Sequence, residues 1–353
     1  MRKTLKIVII TILFFIFTAC VSSTNLLPGS IRDRIEKPIG FIPQGLSTET
    51  PFLPSTFTPT ATLTPTVTAT ATQTPTQTAT PTPTPSPTPI PMVLVGAGDI
   101  SICGQDGDDK TADLLDKIPG TVFTAGDNSN EDGTLNQYVN CFEQSWGKHK
   151  DRLRPSPGNH DYFTDRAADY FDYFGSAAGE IDKGYYSYDL GDWHIIALNS
   201  NCGWVECGAD SSQVAWLKED LSNSDAKCTL AYWHHPRWSS GKHGNSPWLD
   251  PFWQVLYDYG AEVVISGHDH HYERFAPLNP DGEVDESWGI RQFIVGTGGV
   301  SQRGFGDIME GSEVRNSGAF GVIRFNLYPD SYEWEFIPIE GEEFTDHGVG
   351  TCH

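Results

Sequence analysis

The chain has 353 residues, with 23 Lys and Arg against 46 Asp and Glu, a formal charge of −23. That balance works against a sequence-independent grip on nucleic-acid phosphates, which needs a basic face, and argues against charge-driven attachment to an anionic membrane surface. The seven Cys show no Cys-x-x-Cys spacing, which excludes a zinc ribbon, and ten Trp supply material for a large core.

Residues 1–20 read as an export signal. Arg2, Lys3 and Lys6 precede an eleven-residue hydrophobic stretch, Ile7 to Phe17, and a small-residue exit. Eleven residues are too few to span a bilayer, which takes about 20. The end, Phe17-Thr18-Ala19-Cys20, resembles a bacterial lipoprotein processing box, although an aliphatic Leu is usual where Phe17 stands. The resemblance implies a lipid anchor on Cys20, hence display at the cell surface. Residues 21–91 are expected to form a disordered stalk. Its part 47–91 holds eighteen Thr and eleven Pro, and no charge after Glu49. Such a segment has little with which to build a core, and at ~3.1 Å per residue it spans on the order of 100 Å.

The globular part is 92–353, with 17 basic and 43 acidic residues, a net −26. Its six Cys, at 103, 141, 202, 207, 228 and 352, suggest three disulfides in an exported domain. Sequence alone leaves the 15 pairings open, with Cys202–Cys207 the easiest to close. Short apolar runs recur and end in polar residues. Met92–Ala97 runs into Gly98-Asp99, Thr121–Ala125 into Gly126-Asp127, and the weaker Arg154–Pro157 into Gly158-Asn159-His160-Asp161. Cys228–Trp233 runs into His234-His235, and Ala261–Ile265 into Gly267-His268-Asp269-His270. These read as buried strands ending at turns. Helices are predicted near 109–117, 134–146, 211–222 and 247–259. Strands follow at 291–295, 320–327 and 331–337, with a turn at Tyr328-Pro329-Asp330.

Strands alternating with helices predict an α/β sheet whose site lies at the carboxyl ends of the strands. All five runs end in residues able to ligate metal. Asp99, Asp127, Asn159, His234, His268 and His270 combine carboxylate, amide oxygen and imidazole, a set suited to transition metals rather than Ca²⁺. A bridging carboxylate holds two metals about 3.5–4 Å apart, the arrangement used for phosphoryl hydrolysis. Read singly, Asp99 and Asp127 serve equally as helix caps, and Asn159 as a turn residue.

In this order the motifs resemble the calcineurin-like metallophosphoesterases, and Gly267-His268-Asp269-His270-His271-Tyr272-Glu273-Arg274 resembles the purple acid phosphatase branch. The resemblance implies a four-layer α/β/β/α sandwich of two mixed sheets with a dinuclear metal site at the strand ends. It implies that Asp127 bridges, that Asp99 and His270 serve one metal, and that Asn159, His234 and His268 serve the other. It implies catalytic roles for His160, held by Asp161, and for His243 on a Gly-rich loop. The two metals are expected to be divalent transition ions, Fe, Mn, Zn or Co.

The activity so implied is hydrolysis of a phosphoric monoester by an exported enzyme. The alternatives are a phosphodiesterase or pyrophosphate-bond hydrolase and, in another class, a non-catalytic surface binding module. Two positions depart from the pattern: Ser101 where many relatives have His, and Asn130 where the purple enzymes have Tyr. Outside the set, the default readings are bland. His271 packs, Arg274 makes a structural ion pair, Gly296-Thr297-Gly298-Gly299 is a tight turn, and Trp204, Trp238, Trp248 and Trp288 belong to packing.

Overall fold

A computed structural model describes residues 90–353. The export signal, Cys20 and all but the last two residues of the expected stalk lie outside the described residues.

Two mixed sheets form the centre. In the first, β1 (Met92–Ala97), β2 (Thr121–Ala125) and β3 (Leu153–Ser156) run parallel. Antiparallel pairing continues the sheet through β11 (Gly321–Tyr328), β12 (Ser331–Pro338) and β13 (His347–Thr351), in the order β13-β12-β11-β1-β2-β3. The second contains β4 (Tyr186–Leu190), β5 (Trp193–Ala197), β6 (Cys228–Tyr232), β7 (Val263–Ser266), β8 (Tyr272–Leu278), β9 (Ile290–Val295) and β10 (Ser312–Asn316). Its order is β10-β8-β9-β7-β6-β5-β4, and β5, β6, β7 and β9 are parallel.

The side-chain period of two explains why β5, β6, β7 and β9 read as continuous apolar runs. Ile195, Leu230, Tyr232, Val263, Ile265 and Phe293 join the core that includes the first sheet. Their neighbours Ile196, Ala231, Trp233, Val264 and Ile294 join a second core with α4 (Ser212–Asn223) and α5 (Asp250–Asp258). Both faces are covered, so both sets are apolar. The other helices, α1 (Gly107–Leu115), α2 (Leu135–Asn140) and α3 (Ala168–Phe174), contribute Leu115, Tyr138 and Phe171 to the core of the first sheet. This is the sandwich that the resemblance implied.

The predicted helix at 134–146 is shorter than expected. Thr134 and Gln137 form a capping box that starts α2. Cys141 then leaves helical geometry (φ −120°, ψ −69°) and is bonded to Cys103, and the chain goes on in three-ten turns to Arg152. The other disulfides are Cys202–Cys207 and Cys228–Cys352. The last joins the start of β6 to the residue after β13, and so ties one sheet to the other across 124 positions. In the chain-entropy account a loop of that length contributes about 4–5 kcal/mol.

His194 on β5 is buried with Nδ1 3.0 Å from Asp189 and Nε2 2.9 Å from Asp220. Only the protonated ring donates to both. Burial alone would lower this imidazole, but the Asp220 and Asp189 bonds outweigh it and raise the ring above its ordinary value. The stability so gained is full below the unfolded value of about 6.5 and is lost as pH rises through the raised folded value. His194→Gln should therefore lower Tm by about 2–4 °C more at pH 5.5 than at pH 9, the shift produced by about 1 kcal/mol in a domain of this size. Equal losses at both pH values, read by thermal melts, would show that the ring is not held as a cation.

Candidate metal centre

The parallel strands of both sheets end at one place. Asp99, Asp127 and Asn159 follow β1, β2 and β3, and His234, His268 and His270 follow β6 and β7. Neither aspartate caps a helix. The N-caps of α1 and α2 are Asp106 and Thr134, so the capping alternative fails.

The turns that aim these side chains are strained. Asp99 (φ 59°), Asp127 (φ 51°) and His268 (φ 68°) are three of the six non-glycine residues with positive φ among the described residues. Such conformations cost of order 1–3 kcal/mol each and persist where the surroundings impose them. Here the surroundings are hydrogen bonds. Asp99 N donates to Gly126 O (3.0 Å), Ile100 N to Asp127 O (3.0 Å), and His268 N to Asp99 Oδ2 (2.8 Å). Space is also reserved. A Cβ on Gly126 would meet the His234 ring at 2.6 Å, and one on Gly158 would meet Asp127 Oδ1 at 2.1 Å.

The donor set fits metal ions. His234 Nδ1 lies 2.9 Å from Ala125 O, so that nitrogen carries the hydrogen. Its Nε2 lone pair then faces Asn159 Oδ1 (3.1 Å), Asp127 Oδ2 (3.3 Å) and His268 Nδ1 (3.2 Å). His270 repeats the logic, with Nδ1 3.0 Å from Ser301 O and Nε2 3.3 Å from Asp99 Oδ1. Carboxylate oxygens, an amide oxygen and imidazole lone pairs thus point at one another. No Lys or Arg pairs with Asp99 or Asp127 among the described residues, although both carboxylates are buried. Burial would lower the His234 imidazole, yet the Asp127 carboxylate beside it lifts it to about 9. The buried carboxylates favour a cation beside them, and this donor set could hold a metal ion in place of the proton.

The remaining expected residues lie around this cluster, with one difference. His160 donates its backbone N–H to Asp127 Oδ1 (2.9 Å), and its Nε2 lies 3.9 Å from Asp127 Oδ2. The expected Asp161–His160 bond is not made. His160 Nδ1 instead faces the Glu131 carbonyl at 2.7 Å. Asp161 is wholly buried and accepts from Gly158 N (2.7 Å), Asn128 Nδ2 (3.0 Å) and the Tyr138 hydroxyl. It builds the loop that carries Asn159 and His160, because backbone N–H groups there need an acceptor more than the ring does.

The His243 ring packs tilted against His268 with ring centres 4.4 Å apart. Its partner carries no signal in the sequence. Arg303 Nη1 lies 2.6 Å from His243 Nε2, and Arg303 N donates to His270 O (2.8 Å). Asn130 faces the first pair of carboxylates, with Nδ2 2.8 Å from Asp127 Oδ2 and 3.5 Å from Asp99 Oδ1. Neither nearby phenol replaces it. Tyr138 is bonded to Asp161, and Tyr162 accepts from Asn199 Nδ2 (2.8 Å).

The bland readings hold for several residues. His271 is buried beside Glu273 (3.3 Å) and against Phe305, and Arg274 pairs with Asp346 (2.7 Å) and Glu313. Gly298 N donates to Gly98 O (2.9 Å) within a turn that packs on the loop after β1.

The Calcineurin-like phosphoesterase family model matches residues 92–272. Purple acid phosphatase 23 of Arabidopsis thaliana is 33% identical over 120 residues, 31% of this chain and 26% of that protein. Purple acid phosphatase 15 of the same plant is 27% identical over 168 residues, 44% of this chain and 29% of that protein. The chain thus spans under a third of the length of these relatives. Among solved structures, a purple acid phosphatase from yellow lupin (Lupinus luteus) seeds superposes with TM-score 0.61 at 17% identity, over 73% of this chain and 53% of that one. GAP50, described as the anchor in the inner membrane complex of Plasmodium, superposes with TM-score 0.54 at 16% identity, over 73% and 88%. With the family model covering half of its length and the strand-end motifs all in order, the chain belongs to the calcineurin-like phosphoesterase family.

Proposed function

We propose that the chain is an exported, dinuclear metal-dependent phosphomonoesterase, lipid-anchored through Cys20. The observation that carries the catalytic part is the set of metal donors from six residues whose oxygens and ring nitrogens converge without a Lys or Arg to balance the two carboxylates. The fold alone does not carry it, since a protein described as an anchor shares that fold.

Asp99, Asp127 and His270 would hold one ion, and Asn159, His234 and His268 the other, with Asp127 between them. Bound there, the ions supply Lewis acidity, bringing the pKa of water toward neutrality and offsetting phosphate charge. The chain's own residues do the rest. The His160 Nδ1–H is fixed on the Glu131 carbonyl, so Nε2 is the atom left to exchange a proton with the leaving oxygen. Arg303 brings a permanent charge and a planar fork of donors that matches the oxygens of a phosphate. Its contact with His243 holds that ring at the rim of the site. The guanidinium charge at the rim favours the doubly charged monoester over the singly charged diester, against the repulsion of a domain of net −26.

Two variants separate holding metal from holding substrate. Asp127→Ala should abolish hydrolysis of p-nitrophenyl phosphate and lower bound metal. Arg303→Met should keep the metal but raise KM about 10- to 100-fold, the worth of hydrogen bonds to a charged group. Metal analysis beside steady-state kinetics reads both, and an Asp127→Ala protein with full activity and metal would refute the assignment.

The second expectation is optical. The purple enzymes that the sequence resembles owe their colour to a tyrosinate on ferric iron. Asn130 offers only an amide, so the first site carries less negative charge and favours a divalent ion. The pure, metal-replete protein should be colourless and stimulated by Mn²⁺, Zn²⁺, Co²⁺ or Fe²⁺. A strong visible band with tightly held iron would contradict this.

A further inference from the structure

Beside Asn159 a cleft of about 370 Å³ opens between the loop after β5 and the turn before α5, walled by Trp204, Trp248, His235 and Cys202. The volume falls within the range of small-molecule sites. Large aromatic side chains are normally covered, yet Trp204 is 50% and Trp248 52% exposed, both at this cleft. Trp238 is buried, and Trp288, 42% exposed, lies away from this cleft against His353.

The walls are held in place. Trp204 stacks on Tyr162 with ring centres 5.6 Å apart, and the Tyr162 hydroxyl is engaged by Asn199. The Cys202–Cys207 disulfide closes the loop that carries Trp204, and Trp204 N donates to Asn201 O (2.8 Å). On the other side, the His235 ring lies 6.4 Å from Trp248 and 4.5 Å from His268. The cleft is therefore continuous with the proposed phosphate site through Asn159 and His235.

Its polar groups are mostly engaged. The Asn201 amide nitrogen donates to Pro157 O (3.1 Å) and Asn199 Oδ1 (3.0 Å), and Ser200 Oγ lies 2.8 Å from His235 Nδ1. No Lys, Arg, Asp or Glu lines it. Such a surface offers flat aromatic faces and no charge. It does not suit a polyphosphorylated alcohol, which needs cations, or a polyol, which needs free hydrogen-bonding groups.

We propose that this cleft holds the leaving group, and that the preferred substrates are phosphomonoesters of an alcohol with a flat, uncharged aromatic ring, a nucleoside above all. The inference rests on the phosphatase reading for its substrate and on the two tryptophans for its selectivity. Stacking of a base on an aromatic side chain corresponds to about 5- to 100-fold in affinity.

The test uses the full chain with Mn²⁺ and compares kcat/KM for adenosine 5′-monophosphate, phenyl phosphate and glycerol 2-phosphate. The wild type should favour the two aromatic esters at least tenfold, adenosine 5′-monophosphate most. Trp204→Ala and Trp248→Ala should each cut the rate constant on the aromatic esters 5- to 100-fold, with glycerol 2-phosphate within twofold and bound metal unchanged. Trp204→Phe should restore most of the loss, because the ring remains. Equal losses on all three esters, or none, would overturn the proposal. If no ester is hydrolysed, the phosphatase reading fails on its own. The cleft is then judged by adenosine alone, whose quenching of tryptophan fluorescence should saturate in the wild type and vanish in Trp204→Ala. No saturable quenching in the wild type overturns it.

Discussion

The rest of the structure depends on one electrostatic constraint. Two buried carboxylates, an amide oxygen and the lone pairs of three imidazoles face a common space with no Lys or Arg among them. Buried carboxylates with no charge to balance them are costly, by several kcal/mol for each ion, even where backbone and amide N–H groups donate to them. Such a set persists when a cation completes it. The left-handed turns at Asp99, Asp127 and His268 and the bare glycines at 126 and 158 all serve to keep that space open.

The scaffold meets the constraint by bringing the carboxyl ends of strands from two packed sheets together. Three donors come from the turns of the first sheet and three from those of the second, so the site exists only while the sheets keep their register. Hydrogen bonds cross between them at the site, with Gly98 N on Val295 O (2.8 Å) and His234 Nδ1 facing Ala125 O (2.9 Å). At the opposite ends of the strands Cys228–Cys352 fixes the same relation covalently. The inner faces between are packed with Phe123, Tyr232, Phe293 and Phe325. A rigid core thus holds turns that are themselves strained.

Much of this was legible because the signals are local. A strand followed within two or three residues by Asp, Asn or His is visible in the chain itself, and its carboxyl end fixes where the residue lies. The pairing Cys202–Cys207 was legible for the same reason. Cys103–Cys141 and Cys228–Cys352 were not, since nothing nearby in sequence records that α2 ends against the loop after β1, or that the C-terminus returns to β6. Arg303 was missed because it stands alone in a loop with no motif, and only the fold brings it to His243. Asp161 was assigned to its sequence neighbour His160, but the loop's own N–H groups and Tyr138 claim its carboxylate. The exposed pair Trp204 and Trp248 could not be told from Trp238, since exposure is not written in residue type.

Under the phosphatase proposal, two features of the site would act together on a phosphate ester. In the proposed reading, ions held by the six donors would offset the phosphate charge, and the rim of His160, His243 and Arg303 would meet it with hydrogen-bond donors and the positive charge of the guanidinium. The proposal depends on two ions flanking Asp127, and anomalous diffraction from crystals grown with Mn²⁺ tests this most directly. Two peaks are expected, one between Asp127, Asp99 and His270 and one between Asp127, Asn159, His234 and His268. A single peak, or ions bound away from Asp127, would contradict the dinuclear centre.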